Sequence, residues 1–316
     1  MKKIIVIKYL VIICISLVST QVKAQQDPQF TNYMYNMSVI NPAYATDNLG
    51  VINMGGFYRT QWVGAEGSPK TATLFVHTPI NEKIEMGLSV VSDAIGDVVH
   101  ENNIYVDFAY VLPVSDKNKI SFGVKGGATF YDANFDGFVY TDPNPDAAFA
   151  SNINKTFPNL GLGTYFFSEN YYIGFSAPNL LSTKHLEQKD GIEFIGLEAI
   201  HYFFTGGYVF DLKENLKFKP AFMVKGVSGA PLSVDLTANV LINNFVEFGV
   251  GYRVDDSVCG LANIYVTPNL RVGYSYDYTV SNLGDFNSGT HEIFILFDLD
   301  KSNLSSKKYD KSPRFF

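Results

Sequence analysis

Cysteine is nearly absent from this chain of 316 residues. Cys14 lies inside an apolar run near the N-terminus, and Cys259 is the only other cysteine. If the N-terminal run is removed during export, one thiol remains, so no intramolecular disulfide can form even in an oxidising compartment. The sequence therefore excludes a disulfide-stapled secreted fold, and other interactions must hold the chain together.

Long apolar runs and positive charge are also scarce. After residue 24 no apolar stretch approaches the roughly 20 residues that a membrane-spanning helix needs, so any passage through a membrane must use strands. Lys and Arg total 24 against 31 Asp and Glu, and removal of residues 1–24 takes away four Lys, which changes the formal net charge from −7 to −11. Such a charge disfavours polyanion binding, and we expect no nucleic-acid partner.

The first 24 residues have the features of a secretory signal peptide. Three Lys precede or adjoin the apolar run Tyr9–Val18, and the small residues Val22 and Ala24 occupy the positions read by signal peptidase. Cleavage after Ala24 would make Gln25 the new N-terminus. The alternative, an uncleaved anchor, is disfavoured because the run is too short to span a bilayer.

From about residue 51 to residue 300 the chain repeats a period-two pattern. In "APLSVDLTANVLIN", apolar residues from Leu232 to Ile242 alternate with the polar residues from Ser233 to Asn239, and this alternation is the signature of a strand. Most of the runs have about the 9 to 11 residues that a tilted transmembrane strand needs. The pattern predicts fourteen strands, near residues 50–60, 70–79, 84–94, 102–112, 119–131, 157–167, 171–179, 198–210, 216–226, 231–242, 245–254, 257–267, 270–280 and 290–299.

The predicted connections alternate in length. Links from even to odd strands, such as "INEK" and "SEN", are short, whereas the links from odd to even strands include the long loops 132–156 and 180–197. Short periplasmic turns and longer outer loops are typical of an outer-membrane barrel. We therefore predict an all-β fold, a 14-stranded antiparallel transmembrane β-barrel of the outer membrane, with an N-terminal segment that forms a plug or a periplasmic arm.

A soluble all-β protein is the structural alternative, because its strands alternate in the same way. The polar faces here are mostly Gly, Ser, Thr and Asn with few charges, a mixture that suits a hydrated lumen. Charged residues on these faces are candidates to line the lumen or, alternatively, to brace neighbouring strands as cross-strand pairs. These candidates are Lys125, Lys219, Lys225, Asp235, Glu247, Arg253 and Arg271.

Little in the sequence points to catalysis. The five His residues are not at metal-ligand spacing with one another or with Cys259, and no Gly-x-Ser-x-Gly motif is present. His291 and Glu292 are adjacent in a predicted strand, so their side chains should point to opposite faces. We expect no catalytic residue, no metal site and no cofactor.

The predicted mature chain opens with "QDPQFTNYMYNMSVINPAYA" and ends with "KSPRFF". Together with the barrel-like body, these segments resemble the PorP/SprF family, outer-membrane proteins associated with the type IX secretion system of Bacteroidetes. Thr46 departs from the family pattern, which usually has Gly there. The matching N-terminal residues are Asp27, Pro28, Gln29, Phe30, Tyr33, Asn36, Asn41, Pro42 and Tyr44, and the matching C-terminal residues are Pro313, Arg314, Phe315 and Phe316.

The resemblance implies a non-enzymatic barrel of the secretion and gliding-motility machinery, embedded in outer-membrane lipid. Such a barrel would support export or surface attachment of adhesin-type cargo with a C-terminal sorting domain, or would link periplasmic ring or peptidoglycan-binding proteins. Two alternatives stay open from the residues alone. One is a channel or transporter for hydrophobic solutes, and the other is a lipid-modifying enzyme.

These observations divide the chain into four parts: a signal peptide (1–24), the N-terminal motif segment (25–49), the barrel (50–300) and a periplasmic tail (301–316). The aromatic content of the motif segment is too high for a free tail. We expect the segment to begin at the inner mouth of the barrel and to fold back as a plug, with its Asn and Gln amides pairing with the Gly-rich polar face. A partner-binding arm is the alternative. For the tail, we consider an acidic partner, a return toward the lumen, or disorder.

Overall fold

The computed structural model describes residues 28–46, 48–136, 152–181, 199–228 and 230–300. The predicted signal peptide, Asp27, most of both predicted outer loops and the tail with Pro313, Arg314, Phe315 and Phe316 lie outside the described residues.

The described chain forms one closed antiparallel sheet. Fifteen strand segments make fourteen strands, because β8 and β9 are two parts of one strand that both pair with β10. Pairing of β1 with β15, from Val51↔Asp300 to Thr60↔His291, closes the barrel. The predicted 14-stranded antiparallel barrel is confirmed. The segments are β1 (Val51–Thr60), β2 (Pro69–Asn81), β3 (Ile84–Ile95), β4 (Val99–Pro113), β5 (Lys119–Ala133), β6 (Ile153–Phe167), β7 (Tyr171–Ala177), β8 (His201–Tyr208), β9 (Phe210–Lys213), β10 (Leu216–Val227), β11 (Ser233–Ile242), β12 (Val246–Arg253), β13 (Ser257–Thr267), β14 (Leu270–Thr279) and β15 (Thr290–Asp300).

The two faces of the sheet are reversed relative to a soluble protein. On β11, Asp235, Thr237 and Asn239 are buried inside the barrel, whereas Leu236 is 48% exposed on the outer surface. The same alternation recurs along the other strands, with aliphatic and aromatic side chains facing outward. This arrangement needs an apolar surrounding, so the soluble alternative is not supported.

The two ends of the barrel differ in their connections. One end, called the short-turn end below, carries the turns 82–83, 114–118, 168–170, 214–215, 243–245 and 268–269. The opposite, long-loop end carries the longer links, including one with a short 3₁₀ turn at Asn282–Phe286. The link between β5 and β6 is shorter than predicted, because paired residues extend to Ala133↔Ile153.

The lumen contains residues 28–46, called the lumen segment below. The segment includes a 3₁₀ turn (Tyr33–Tyr35) and a short helix (Met37–Ile40). Asn41 ends the helix with an extended backbone, as expected for the residue before a proline. Among the described residues no helix is long and apolar enough to cross a membrane.

Candidate functional site: the occupied lumen

The lumen segment runs along the barrel axis from one end to the other. Thr31 contacts Glu292, near the long-loop end of β15, whereas Thr46 contacts Glu85, at the short-turn end of β3. The segment then leads into β1 at the short-turn end. The motif was expected to begin at the inner mouth. Residues 25–27 lie outside the described residues, and the first described residues are held in the half of the lumen nearest the long loops.

A buried charged cluster holds the part of the lumen segment that lies in the long-loop half. The backbone N–H groups of Thr31 and Asn32 donate to the Glu292 carboxylate at 3.0 and 2.8 Å, and the Thr31 hydroxyl donates to Asp277 at 2.6 Å. Arg59 forms ion pairs with Asp277 at 3.1 Å and with Glu292 at 3.2 Å. This charged clamp satisfies backbone donors that would otherwise be buried without partners.

Tyr35 occupies a second, cationic site nearer the short-turn end. Its hydroxyl donates to Glu247, which also pairs with Arg271. The Arg271 guanidinium lies 4.4 Å from the centre of the Tyr35 ring, and the Lys219 ammonium lies 5.3 Å from it. Cation–π contacts of this kind stabilise a buried aromatic ring.

Glycines on the wall make room for the bend at Asn41-Pro42-Ala43. A Cβ atom at Gly123 would overlap the backbone of Pro42 and Ala43, and a Cβ at Gly163 would overlap the Asn41 side chain. The Asn41 side chain also accepts a hydrogen bond from the Ala43 N–H at 2.9 Å, which fixes the turn locally. The Gly-rich face thus allows close approach of the two backbones.

The end of the lumen segment nearest the short turns is held by aromatic packing and by another carboxylate. The Tyr44 ring lies 5.3 Å from His77 and 5.6 Å from Tyr165, measured between ring centres. The Thr46 N–H donates to Glu85 at 2.8 Å, and its hydroxyl donates to the same carboxylate at 3.2 Å. Thr46, where the resembled family usually has Gly, therefore adds a hydroxyl donor to this contact.

The remaining motif residues are also placed inside the barrel. Tyr33 and Asn36 are fully buried, and the Asn36 N–H donates to the Tyr33 carbonyl at 3.0 Å. Pro28, Gln29 and Phe30 line a small cavity in the long-loop half of the lumen. The expected pairing of segment amides with the wall holds for Asn41, whose side-chain N–H donates to the Thr164 carbonyl at 3.0 Å, beside Gly163. The other polar contacts include carboxylates, which bind Thr31, Asn32, Tyr35 and Thr46.

The predicted lumen residues all lie on the inner face. Lys125 lies 3.5 Å from Asp107 on the neighbouring strand and donates to the Val39 carbonyl at 2.8 Å. Arg253 lies 2.6 Å from Asp235, the residue directly opposite it. The wall charges therefore brace neighbouring strands and also hold the lumen segment. Lys219, Lys225, Glu247 and Arg271 are buried on the same face.

Three residues of the charged clamp were not recognised in the sequence. Arg59, Asp277 and Glu292 each occupy a single polar position in an alternating strand, so nothing local marks them. The prediction that His291 and Glu292 face opposite sides of their strand was the available signal for an inward-facing Glu292. The structure places Glu292 inside the barrel and the His291 side chain outside, against Tyr274. Within the described residues, no group of three or more His, Cys, Asp or Glu side chains could hold a metal ion.

Comparisons with known proteins agree with the resemblance seen in the sequence. The family model described as type IX secretion system membrane protein PorP/SprF matches residues 22–297. No curated protein sequence matches the chain.

Several solved barrel structures are similar in fold at low sequence identity. A FadL homologue from Pseudomonas aeruginosa has a TM-score of 0.46 and 11% identity, covering 87% of this chain and 95% of that one. Omp33 from Acinetobacter baumannii has a TM-score of 0.45 and 10% identity, covering 81% and 100%. The monoaromatic hydrocarbon channel CymD has a TM-score of 0.49 and 11% identity, covering 85% and 92%.

Proposed function

The chain belongs to the PorP/SprF family of type IX secretion system membrane proteins, and from this membership we propose that it is a docking barrel rather than a channel. It lies in the outer membrane as a β-barrel. In this proposal, it supports export or surface attachment of secreted adhesin-type cargo, either by docking the cargo or by linking periplasmic components of the machinery.

The observation that carries this proposal is the occupied lumen. The part of the sequence that most specifically marks the family fills the interior, and its side chains from Phe30 to Ala45 are almost all buried. The wall charges that could line a water-filled pore instead bind this segment through Glu292, Glu247 and Glu85. A barrel filled in this way offers its two ends, rather than its interior, to large partners.

The two ends suit different partners. We place the long-loop end at the cell surface, since outer-membrane barrels carry their longer loops there. Cargo with a C-terminal sorting domain would dock at this end. Periplasmic ring or peptidoglycan-binding proteins would meet the short turns and the tail, residues 301–316.

Gene deletion tests the proposal. Without the barrel, type IX cargo should be absent from the cell surface or released into the medium, as measured by surface proteomics of intact cells. Complementation with the wild-type gene should restore attachment, and an unrelated outer-membrane barrel should keep its normal abundance in all strains. If every cargo protein still reaches the surface and stays attached, the proposal fails.

A solute channel is the second candidate, favoured by the cavity beside Phe30 in the long-loop half of the lumen. Planar-bilayer recordings separate the two candidates. A docking barrel should show no steady conductance while the lumen segment is seated, whereas a channel should conduct in the wild-type form.

We also propose that the barrel is not an enzyme. The His77 ring packs against Tyr44 and the His201 ring packs against Phe203. The carboxylates of Glu292, Glu247 and Glu85 bind the lumen segment. Purified barrel incubated with phospholipid and lipid A should leave both unchanged, and turnover that tracks the barrel through purification would contradict this.

A further inference from the structure

The ladder that joins β10 to β8 and β9 is interrupted within the described part of the wall. Register pairs between these strands end at Ala221↔Gly207, and pairs between β9 and β10 begin again at Phe218↔Phe210. Pro220 lies in this interval and has no N–H to donate to a ladder. On the other strand the Val209 N–H donates to the Asn170 carbonyl, on the β7 side, at 2.7 Å. A proline inside a barrel strand breaks the usual rule for strand positions.

A groove of about 540 Å³ lies on the outer surface at this interruption. Its outward-facing lining combines the small or rigid residues Gly206 and Pro220 with larger apolar neighbours, among them Ile173, Phe222 and Leu236. The Phe222 ring lies over Gly206, where an added Cβ would come within 2.7 Å of it. The lack of a side chain at Gly206 therefore shapes the groove.

The groove reaches the inner face but is closed there. Tyr172 and Thr237, which face the lumen, line its floor. Tyr33 of the lumen segment lies behind them, with its hydroxyl 3.4 Å from the Thr237 hydroxyl. The floor is therefore sealed by a residue of the family motif, and a ligand in the groove must come from the membrane side.

The position of the groove indicates which part of the membrane it meets. Tyr171 and Tyr208 stack at its short-turn end with ring centres 6.2 Å apart, and the Tyr171 hydroxyl donates to Asn118 at 2.9 Å. Tyrosines that pair an apolar ring with a polar contact mark the membrane–water interface. From there the groove continues past Ile173, which is exposed on the lipid-facing surface, and past Phe222, a half-buried side chain at an outward position of β10.

From these observations, we propose that the groove is a binding site for one acyl chain of an outer-membrane phospholipid. An apolar concavity in a lipid-facing wall contacts an acyl chain on several sides, whereas a flat wall would contact it on one side. The additional dispersion contacts favour retention of the chain. The site is independent of cargo docking and does not rest on it.

Photolabelling in proteoliposomes tests this site. The probe is a phosphatidylethanolamine with a diazirine in one acyl chain, and labelled peptides are located by mass spectrometry. Wild-type barrel should be labelled on the β10–β11 peptides about tenfold more than on the lipid-facing peptides of β2 and β3. Equal labelling around the barrel would overturn the proposal, as would a protein chain found seated in the groove.

Two variants of the groove and one matched control on β3 test whether the enrichment depends on the groove. Leu236→Trp fills the groove from its rim and should remove the enrichment, whereas Leu88→Trp, at an outward position with the same 48% exposure on β3, should keep it. Pro220→Val restores a ladder N–H without adding an aromatic ring and should also reduce the enrichment. Heat-modifiable migration confirms that each variant is folded. Enrichment that survives both groove variants would overturn the proposal.

Discussion

The two halves of the lumen hold the lumen segment through different combinations of interactions. In the long-loop half, Thr31 and Asn32 are bound by a charged clamp in which Arg59 compensates two carboxylates. In the short-turn half, close backbone approach over wall glycines and the aromatic packing of Tyr44 act together with the Glu247–Arg271 ion pair that holds the Tyr35 hydroxyl. Charged hydrogen bonds fix the direction of the lumen segment and its position along the wall, whereas packing fixes the path of its backbone. We infer that the charged clamp orients the lumen segment and that packing in the short-turn half closes the barrel.

The largest expected effect concerns which end of the barrel faces the outside of the cell. If the long-loop end faces outward, Pro28→Cys in a Cys259→Ser background should react with a membrane-impermeant maleimide on intact cells, because residue 28 lies in that half. Lys117→Cys, in a short turn, should react only after the outer membrane is permeabilised. The reverse pattern of labelling would show that the barrel or the segment is oriented the other way.

Removal of a clamp carboxylate should cost the most stability. Glu292→Ala leaves two buried N–H groups without their acceptor and Arg59 with one carboxylate fewer, so we expect a loss of about 3 to 5 kcal/mol in unfolding free energy. Denaturant titration of the folded barrel in detergent measures this.

Thr31→Val is the matched control for the clamp. It removes the hydroxyl contacts with Asp277 and Arg59 but keeps both backbone contacts with Glu292, so it should cost less, about 1.5 to 3 kcal/mol. Equal losses in the two variants would mean that Glu292 contributes no more to stability than the Thr31 hydroxyl does.

Truncation of aromatic side chains tests the packing in each half. Tyr44→Ala should cost about 3 kcal/mol, since the ring is buried against His77 and Tyr165. Phe30→Ala should cost less, because Phe30 already borders a cavity. Tyr44→Ala should also raise single-channel conductance in planar bilayers. An unchanged melting temperature together with unchanged conductance would favour a partner-binding arm instead.

The smallest expected effect probes the close approach at the wall. Gly163→Ala places a Cβ against Asn41 and should cost about 1 to 3 kcal/mol or displace the segment, which limited proteolysis would detect. Gly260→Ala is the control, because nothing lies within 4 Å of an added Cβ there. Equal stability of the two variants would contradict the proposed packing.

Much of the fold could be predicted from the sequence because it depends on local geometry. Period-two alternation needs only the pleat of each strand, so the number of strands and their faces were predicted correctly. The inner placement of Lys125 and Arg253 follows from the same alternation. The clamp could not be predicted, because Thr31 and Glu292 are 261 residues apart and meet only when β1 pairs with β15.

The sequence by itself determined that the chain forms a barrel with an apolar outside, and its N-terminal motif marked the family. Both properties follow from short stretches of sequence, which can be interpreted without knowing which distant residues they contact. Only the tertiary structure decided the course of the lumen segment from the long-loop end to the short-turn end, and the place where Pro220 interrupts the wall. Both depend on the register of strands across a closed sheet, since closure alone determines which polar residues face each other across the lumen.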